Sequence, residues 1–172
     1  MQSASMTKAS SLPHWIPKVV RISTENGLWS ASGPIVTISQ RQISDFAYMT
    51  EDFQDIHLSS ETARLAGFPS TIAHGFFILG LLPHLSCIYS SLCEANLSII
   101  PFKLGNTLIK RPVHAGSNIR AKTKVTACYP DRRGAYDFEI CFSIERLHGD
   151  AWKQAVYGAL SLKVAQIPKS TD

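Results

Sequence analysis

The most constraining feature of the chain is the apolar segment of residues 75–93, GFFILGLLPHLSCIYSSLC. If this segment is helical, apolar side chains fall on almost every face of it, and a helix of that kind has to be buried. The rest of the chain must then provide a surface that wraps around it. Pro83 lies inside the segment and has no backbone N–H, so we expect it to kink the helix or to end its first half. The chain has no uninterrupted apolar run of about 18 residues, so we predict no membrane span.

The sequence after the apolar segment predicts an antiparallel meander, because runs of strand-forming residues alternate with the turn sequences PDRRGA and LHGDA. Before the segment we expect a strand, then a helix capped by Ser39 or Ser44, then a short helix with Ser60 as its candidate N-cap and Gly67 at its end. A strand, then helices, then a meander is the order of an α+β fold. The predicted strands are residues 33–40, 104–111, 117–129, 134–147 and 152–165.

The length and the charge of the chain restrict its class. Its 172 residues suit one domain. Hydrophobic residues make up 45% of the chain and charged residues only 17%, a composition that indicates extra buried surface, for example at a subunit interface. The net charge of +4 is small and the basic residues are scattered, so we expect no nucleic-acid partner. The four cysteines lack the spacing of a zinc site, which favours buried thiols in a reducing compartment.

The two ends of the chain differ from its middle. We expect residues 1–20 to be a mobile extension, residues 21–167 to form the single domain, and residues 168–172 to be a tail. Residues 1–24 contain no acidic side chain, which weakly resembles a mitochondrial presequence, and they lack the apolar core of a secretory signal. A cytoplasmic location is the prediction, and a mitochondrial or peroxisomal location stays open.

The stretch TEDFQDIHLSSETARLAGFPSTIAHGF, residues 50–76, places polar side chains at the mouth of the apolar segment. Asp52 and His57 can act as an acid/base pair if their loop folds both side chains inward. Isolated residues of these types are more often a helix cap and a surface histidine, and Asp55 is a second candidate carboxylate. Asp52, His57 and His74 are also metal-ligand types, but nothing in their spacing requires a metal, and we predict none.

Gly75 follows His74 at the start of the apolar segment. The first amides of a helix have no partner within the helix, and a glycine there lets a ligand approach the backbone closely. Such amides can bind a thioester oxygen or a developing enolate. The alternative is a glycine needed only for packing. We expect His74 to hydrogen-bond to the backbone rather than to take part in catalysis.

These residues resemble the motif of the MaoC-like, (R)-specific enoyl-CoA hydratase family. That motif runs Asp-x-Asn-Pro-(Ile/Leu)-His, a short acidic helix, Gly-Phe, and (Ile/Val)-(Ala/Val)-His-Gly before an apolar helix. This chain has DFQDIH at residues 52–57, GF at 67–68 and IAHG at 72–75, followed by FFILGLL. The order of strands as far as residue 165 is also similar to that of the family.

The resemblance implies a hot-dog fold, in which an antiparallel β-sheet wraps around one long central helix, here residues 75–93. It implies a homodimer that binds an acyl thioester of CoA or of a carrier protein at the subunit boundary, without a cofactor. It makes Asp52 and His57 the acid/base pair that adds water to, or removes it from, the C2–C3 bond, while the Gly75 amide binds the thioester carbonyl. The residues expected near the acyl pocket are Phe53, Phe76, Leu79 and Pro83.

Three residues depart from the family motif. Gln54 stands where the family has Asn, Asp55 where it has Pro, and Pro83 where related hydratases often have a serine. Losing the proline is expected to loosen the loop that carries Asp52 and His57. The departures suggest an unusual acyl substrate, such as a polyketide intermediate. Two alternatives stay open: an isomerase or cyclase that acts on such an intermediate, and a non-catalytic acyl-binding subunit.

Overall fold

The computed structural model describes residues 14–15, 32–131 and 133–167. Apart from residues 14 and 15, the predicted N-terminal extension lies outside the described residues, as does the predicted tail. The described residues form, in chain order, β1 (Val36–Thr37), α1 (Gln40–Thr50), α2 (Asp55–Leu58), α3 (Ser60–Leu65), α4 (Gly75–Gly80), α5 (Leu82–Leu85), α6 (Cys87–Glu94), β2 (Leu97–Ile109), β3 (Asn118–Pro130), β4 (Tyr136–His148) and β5 (Ala151–Gln166).

The five strands form one antiparallel sheet in the order β1-β3-β4-β5-β2. β3, β4 and β5 follow one another as the predicted meander, and the turns between them contain Gly134 and Gly149 with φ of 78° and 57°. Glycine reaches this left-handed conformation more easily than other residues, which explains its place in both turns. β2 lies on the far side of β5, where Leu97 pairs with Gln166 and Ile109 pairs with Val156.

The observed bounds of β2 and β1 differ from the predicted ones. β2 begins at Leu97 instead of residue 104, because Pro101 interrupts the strand pattern in the sequence. A proline, which cannot donate a backbone hydrogen bond, is tolerated there because β2 pairs only with β5 among the described strands and so lies at an edge. β1 keeps only two residues of the predicted strand 33–40.

The apolar segment 75–93 is helical, as predicted, but it is divided into α4, α5 and α6 instead of being kinked once at Pro83. Pro83 lies in the first turn of α5, where its missing N–H leaves no helical hydrogen bond unmade. The sharper interruption is Ser86, whose extended backbone (φ −100°, ψ 116°) separates α5 from α6. Its hydroxyl accepts a hydrogen bond from the N–H of Tyr89 and so caps α6. Among the described residues, none of the helices has the length and apolarity needed to cross a membrane.

The helical segment packs on the buried face of the sheet, which agrees with its apolar composition. One cluster of buried side chains joins α1, α4 and α5 to one end of the sheet, and a second cluster joins α6 to the other end. Burying one large apolar side chain contributes roughly 1.5–3 kcal/mol, so these two clusters dominate the stabilisation of the fold. The large side chains buried in them include Ile43, Ile78, Leu85, Ile88, Leu92, Phe138, Phe142, Ile144 and Leu162.

All four cysteines lie in the described ranges, and none forms a disulfide. Burial raises the pKa of the Cys128 thiol to about 12, so this sulfur stays protonated and unreactive at neutral pH. Cys87 and Cys141 are partly buried and Cys93 is exposed in the last turn of α6, so the prediction of buried thiols holds in full only for Cys128.

Candidate active site

Two segments of the chain form the candidate site, and the first follows α1. This helix begins at a capping box and ends at Thr50, after which Glu51 adopts a left-handed conformation with φ of 59° and ends the helix. The capping serine is Ser39, one of the two predicted. Ser59, not Ser60, caps α3 by accepting a hydrogen bond from the N–H of Thr62. The predicted cap was wrong by one residue, because Ser59 and Ser60 are adjacent and have the same side chain.

The second segment, residues 71–74, returns beside α2 and leads into α4. The N–H of Ile72 donates to the carbonyl of Ile56 (3.1 Å), and the N–H of Ala73 donates to the carbonyl of Val113 (2.7 Å). These bonds fix the segment to α2 on one side and to the chain before β3 on the other. His74, which is the N-cap residue of α4, is thereby placed beside the loop that carries Asp52.

Asp52, His57 and His74 form a compact cluster at the meeting point of the two segments. Their donor atoms all lie within 4.8 Å of one another. The two imidazole rings are stacked, with centroids 3.7 Å apart and planes inclined by 29°. Both rings are buried, whereas the Asp52 side chain is 40% exposed. The loop therefore does fold Asp52 and His57 toward each other, as the acid/base interpretation requires. Asp55 is exposed at the start of α2 and is not a member of the cluster.

The hydrogen bonds of His57 determine which ring nitrogen carries the proton. Its Nδ1 lies 2.7 Å from the carbonyl oxygen of Ile72. A carbonyl oxygen can only accept a hydrogen bond, so Nδ1 must be the protonated nitrogen of the neutral ring. The lone pair is then on Nε2, which makes this atom the one that can accept a proton.

His74 has a different role in the cluster. Its Nε2 lies 3.0 Å from the backbone carbonyl of Asp52, so it donates to that oxygen. The ring also packs against Phe46, at 5.1 Å between centroids and with the planes inclined by 50°. Its Nδ1 is buried and has no hydrogen-bond partner among the described residues. These contacts agree with the prediction that His74 holds the backbone of the loop.

The carboxylate of Asp52 is kept ionised by its neighbours. The side-chain amide of Gln54 donates to Asp52 Oδ1 at 3.0 Å. This hydrogen bond is the main reason that the pKa of Asp52 lies below its usual value, and the imidazoles of His74 and His57 lower it further. Gln54, one of the three departures from the motif, therefore contacts the candidate carboxylate directly. Asp52, His57 and His74 are also placed closely enough to hold a metal ion, and the prediction of no metal stays a prediction.

Gly75 is the first residue of α4, immediately after the histidine cluster. A Cβ atom at this position would lie 2.3 Å from Cδ1 of Ile109 in β2. A real Cβ does not approach another carbon so closely, so Gly75 allows the end of β2 to pack against the start of α4. The packing role that was left open for this glycine therefore exists, and it does not exclude a role in binding.

The four residues expected near an acyl pocket lie in different surroundings. Phe53 is half exposed and packs edge-on against Tyr48, at 5.4 Å between ring centroids. Phe76 is 75% exposed. Leu79 packs against the buried cluster between α4 and the sheet, and Pro83 is exposed in α5.

A separate apolar groove of about 320 Å³ opens between α1 and α4. Phe46 links this groove to the site, because its ring contacts both His74 and Phe77, at 5.1 and 5.4 Å between centroids. The groove was not predicted from the sequence, although Phe46 and Met49 have the spacing of one helix face. The groove is lined by Gln42, Asp45, Phe46, Met49, Phe77, Gly80 and Leu81.

Comparison with known proteins identifies a family, several relatives and solved structures of similar fold. A family model described as MaoC like domain matches residues 31–135. The 3-hydroxyacyl-thioester dehydratase Z of Mycobacterium tuberculosis is 33% identical over 110 residues, which cover 64% of this chain and 72% of that protein. The 3-hydroxybutyryl-CoA dehydratase of Methylorubrum extorquens is 30% identical over 99 residues, which cover 57% and 59% of the two chains.

The solved structure of the (R)-hydratase from A. caviae involved in PHA biosynthesis is similar in fold. The TM-score is 0.61 at 20% sequence identity, and the similarity covers 82% of this chain and 97% of the hydratase. The expected hot-dog fold is therefore confirmed, with the central helix divided into three parts.

Proposed function

Because the chain belongs to the MaoC-like domain family, we propose that it is a hydratase or dehydratase acting on enoyl and (R)-3-hydroxyacyl thioesters. Two of its relatives are named as dehydratases of a 3-hydroxyacyl thioester and of 3-hydroxybutyryl-CoA. The reaction class follows from this relationship. The catalytic residues and the (R) configuration of the substrate are the parts that we propose here.

The observation that carries the proposal is the pair of hydrogen-bond acceptors offered by Asp52 and His57. Asp52 and His57 belong to a cluster in which one ligand atom of each residue lies within 4.8 Å of the others, and the lone pair of the neutral His57 ring is on Nε2. A water molecule has two O–H groups and forms hydrogen bonds of about 2.8 Å, so one water can donate to both side chains. The two residues can thus hold and orient the water that the reaction adds.

The hydration step then balances with one water molecule. The water oxygen forms a bond to C3 of the enoyl thioester, while one of its protons is transferred to the acid/base pair of Asp52 and His57. The pair delivers a proton to C2, and the π electrons of the C2–C3 bond pass through an enolate. Because the water oxygen reaches C3 and the proton reaches C2 from the face of the substrate that lies toward this pair, the addition is syn. Dehydration is the same sequence in reverse.

The enolate oxygen needs a hydrogen-bond donor, and the backbone N–H of Gly75 is our candidate. It belongs to the first turn of α4, whose amide groups have no acceptor within the helix. A donor that is already oriented toward the developing negative charge lowers the barrier without further rearrangement.

The apolar groove between α1 and α4 supports the binding of an acyl chain. Its wall reaches the site through Phe46, which contacts His74. We assign the acyl chain of the substrate to this groove and leave the choice between CoA and a carrier protein to experiment. A homodimer and a cytoplasmic location complete the proposal, and both stay predictions.

The proposal is tested by measuring turnover of crotonyl-CoA, longer enoyl-CoA thioesters, and (R)- and (S)-3-hydroxybutyryl-CoA. We expect activity with the enoyl and (R) substrates. Asp52→Asn and His57→Gln should each lower kcat by about 10²- to 10⁴-fold, because each removes a proton-transfer group. Asp55→Asn is the matched control, since it changes a neighbouring carboxylate outside the cluster, and its kcat should stay close to that of the wild type.

Two outcomes would contradict the proposal in different ways. If the wild-type protein turns over none of these thioesters, hydration is not its reaction, and an acyl-binding subunit becomes the better interpretation. If Asp52→Asn retains full activity, and no solvent oxygen enters the product, an isomerase or cyclase is favoured.

A further inference from the structure

We propose that Gln40 is a positioning residue for His57, and that Thr71 fixes the orientation in which the Gln40 side chain does this. The inference rests on the proposed function, because His57 is the acid/base residue only in that proposal. Gln40 is outside the motif that marks the family resemblance. Gln40 is not one of the residues that line the groove, and its side-chain hydrogen bonds go to Ser44, His57 and Thr71 instead of Asp52.

The side-chain amide of Gln40 connects three segments of the chain. Its Nε2 donates to the backbone carbonyl of His57 at 2.9 Å and to the hydroxyl of Ser44 at 3.3 Å. Its Oε1 accepts a hydrogen bond from the hydroxyl of Thr71. Both donor hydrogens and the carbonyl oxygen of the amide are therefore used.

The carbonyl of His57 needs such a partner because of the length of α2. This helix has only four residues, and its N-cap residue Gln54 makes no side-chain capping bond. The last four carbonyls of any helix receive no hydrogen bond from an N–H group of the same helix. In a helix of one turn, almost all backbone groups therefore need partners from elsewhere. Gln40 supplies the missing donor at the residue whose side chain is proposed to move a proton.

Thr71 determines which end of the amide faces His57. The Thr71 side chain is only 2% exposed, so water does not compete for its hydroxyl. If the Gln40 amide were rotated by half a turn, its Oε1 would face the carbonyl oxygen of His57. Both atoms are acceptors, so no hydrogen bond could form between them. The hydroxyl of Thr71, by donating to Oε1, favours the orientation in which Nε2 faces His57.

The same segment also holds the imidazole ring. Ile72, the next residue after Thr71, accepts the hydrogen bond from His57 Nδ1, and its N–H donates to Ile56. The backbone of His57 is thus fixed through Gln40 to Thr71, and its ring is fixed directly to Ile72. Two anchors from adjacent residues set both the position of the ring and the nitrogen that is protonated.

Loss of the Gln40 anchor should act on catalysis more than on binding. A misplacement of a catalytic group by about 1 Å can lower the rate by about 10²-fold. Gln40 does not line the groove assigned to the acyl chain. We therefore expect Gln40→Met and Thr71→Val to lower kcat by about 10- to 100-fold, with KM changed by less than about twofold.

The test includes a rescue variant and a matched control. Thr71→Ser keeps the hydroxyl and should retain a kcat close to that of the wild type. Thr123→Val is the control, since Thr123 is 1% exposed and its hydroxyl bonds to Ser86 in the core between α6 and β3. It removes an equally buried hydroxyl and should lower Tm as Thr71→Val does, without the loss of kcat. If both valine variants lose the same fraction of kcat, or if Thr71→Ser does not restore it, Gln40 and Thr71 have only a structural role.

A second measurement separates this inference from the proposed function. The ¹⁵N NMR signals of the His57 ring report which nitrogen is protonated and need no substrate. In the wild type we expect the Nδ1-protonated tautomer, and in Gln40→Met a mixture of tautomers or exchange broadening. Unchanged His57 signals in Gln40→Met would overturn the inference even if the protein is an active hydratase. Altered signals in a protein without hydratase activity would support the positioning role and reject the function.

Discussion

At the scale of single residues, the site contains two histidines whose roles differ because of the carbonyls they face. His57 donates from Nδ1 to Ile72, which leaves Nε2 as the acceptor. His74 donates from Nε2 to the backbone of Asp52, and its buried Nδ1 has no hydrogen-bond partner within the described part of the chain. The rings are stacked at 3.7 Å between centroids, and His57 is the one whose lone pair lies on Nε2.

The role of Gly75 gives a prediction at this scale. In Gly75→Ala the new methyl group would meet Cδ1 of Ile109, the end of a flexible side chain that is half exposed, so Ile109 can move and Tm should change little. The displaced Ile109 side chain and the methyl group would crowd the amide that is proposed to bind the thioester carbonyl, and we expect kcat/KM for crotonyl-CoA to fall by about 10²-fold or more. Gly105→Ala is the control, because a Cβ there meets nothing within 4 Å. Equal kcat/KM for the two variants would remove Gly75 from the site.

His114 gives a second prediction, which concerns stability and pH. Burial lowers the pKa of His114 below its usual value of 6.5, and the positive charge of Arg146 lowers it further. The unfolded chain therefore binds a proton at His114 at a higher pH than the folded chain does. The free energy of unfolding must then fall as the pH decreases below about 6.5 toward the folded-state pKa. Above pH 6.5 both states are neutral at this residue, and it adds no pH dependence.

The measurement is the Tm of the wild type and of His114→Asn at several values between about pH 5.5 and 7.5. We expect the wild type to lose more of its Tm on acidification than the variant, because Asn does not titrate in this range. Parallel Tm curves for the two proteins would show that His114 is not responsible for the loss.

At the scale of elements, the break between α5 and α6 lies against a glycine from another part of the chain. The backbone of Gly33 donates to Ala121 of β3 at 3.0 Å and lies directly over the end of α5. A Cβ on Gly33 would be 1.7 Å from the carbonyl oxygen of Leu85, which is backbone and cannot rotate away. The interruption at Ser86 is therefore packed against the segment before β1.

This contact predicts the effect of Gly33→Ala. Forcing a methyl group into a filled space costs about 1–3 kcal/mol, and we expect the free energy of unfolding to fall by at least that amount in a denaturant titration. Gly80→Ala is the comparison, because a Cβ at Gly80 meets nothing within 4 Å and alanine favours a helix. That variant should be as stable as the wild type or slightly more stable. If Gly33→Ala were equally stable, the segment before β1 would not pack on α5.

The elements that could be predicted from the sequence are those whose signal is local. The meander of β3, β4 and β5 is marked by its turn sequences, and the observed strands agree with the predicted ones to within a few residues. The early start of β2 was hidden by Pro101, and the break at Ser86 packs against Gly33, which is distant in the sequence.

The candidate site was predictable to the same extent. Asp52 and His57 were predicted because they lie five residues apart in a polar stretch that precedes the apolar segment. The bonds of Gln40 to His57 and Thr71 join residues 17 and 31 positions apart, and no local pattern marks them. The groove likewise requires α1 to lie against α4, which only the folded chain brings about.

At the scale of the whole molecule, β2 carries apolar side chains that the described part of the chain leaves open. The exposed side chains of Ile100, Phe102 and Leu104 are each more than half accessible, and Leu108 and Ile109 are nearly so. β2 pairs only with β5 among the described strands. A long edge strand with apolar side chains is a surface that proteins normally cover. Its end also touches the site, because Ile109 packs against Gly75.

We therefore predict that two copies of the chain associate through β2 and that this association supports activity. Light scattering should give a mass of twice 18.9 kDa for the wild type. In Phe102→Lys a charge is placed in the middle of the strand, which disfavours edge pairing, so we expect a monomer with reduced kcat/KM. Leu65→Lys is the control, since Leu65 is 84% exposed on α3, away from β2, and this variant should remain a dimer. A monomeric wild type with full activity would contradict the prediction, whereas a dimer that survives Phe102→Lys would place the interface on another surface.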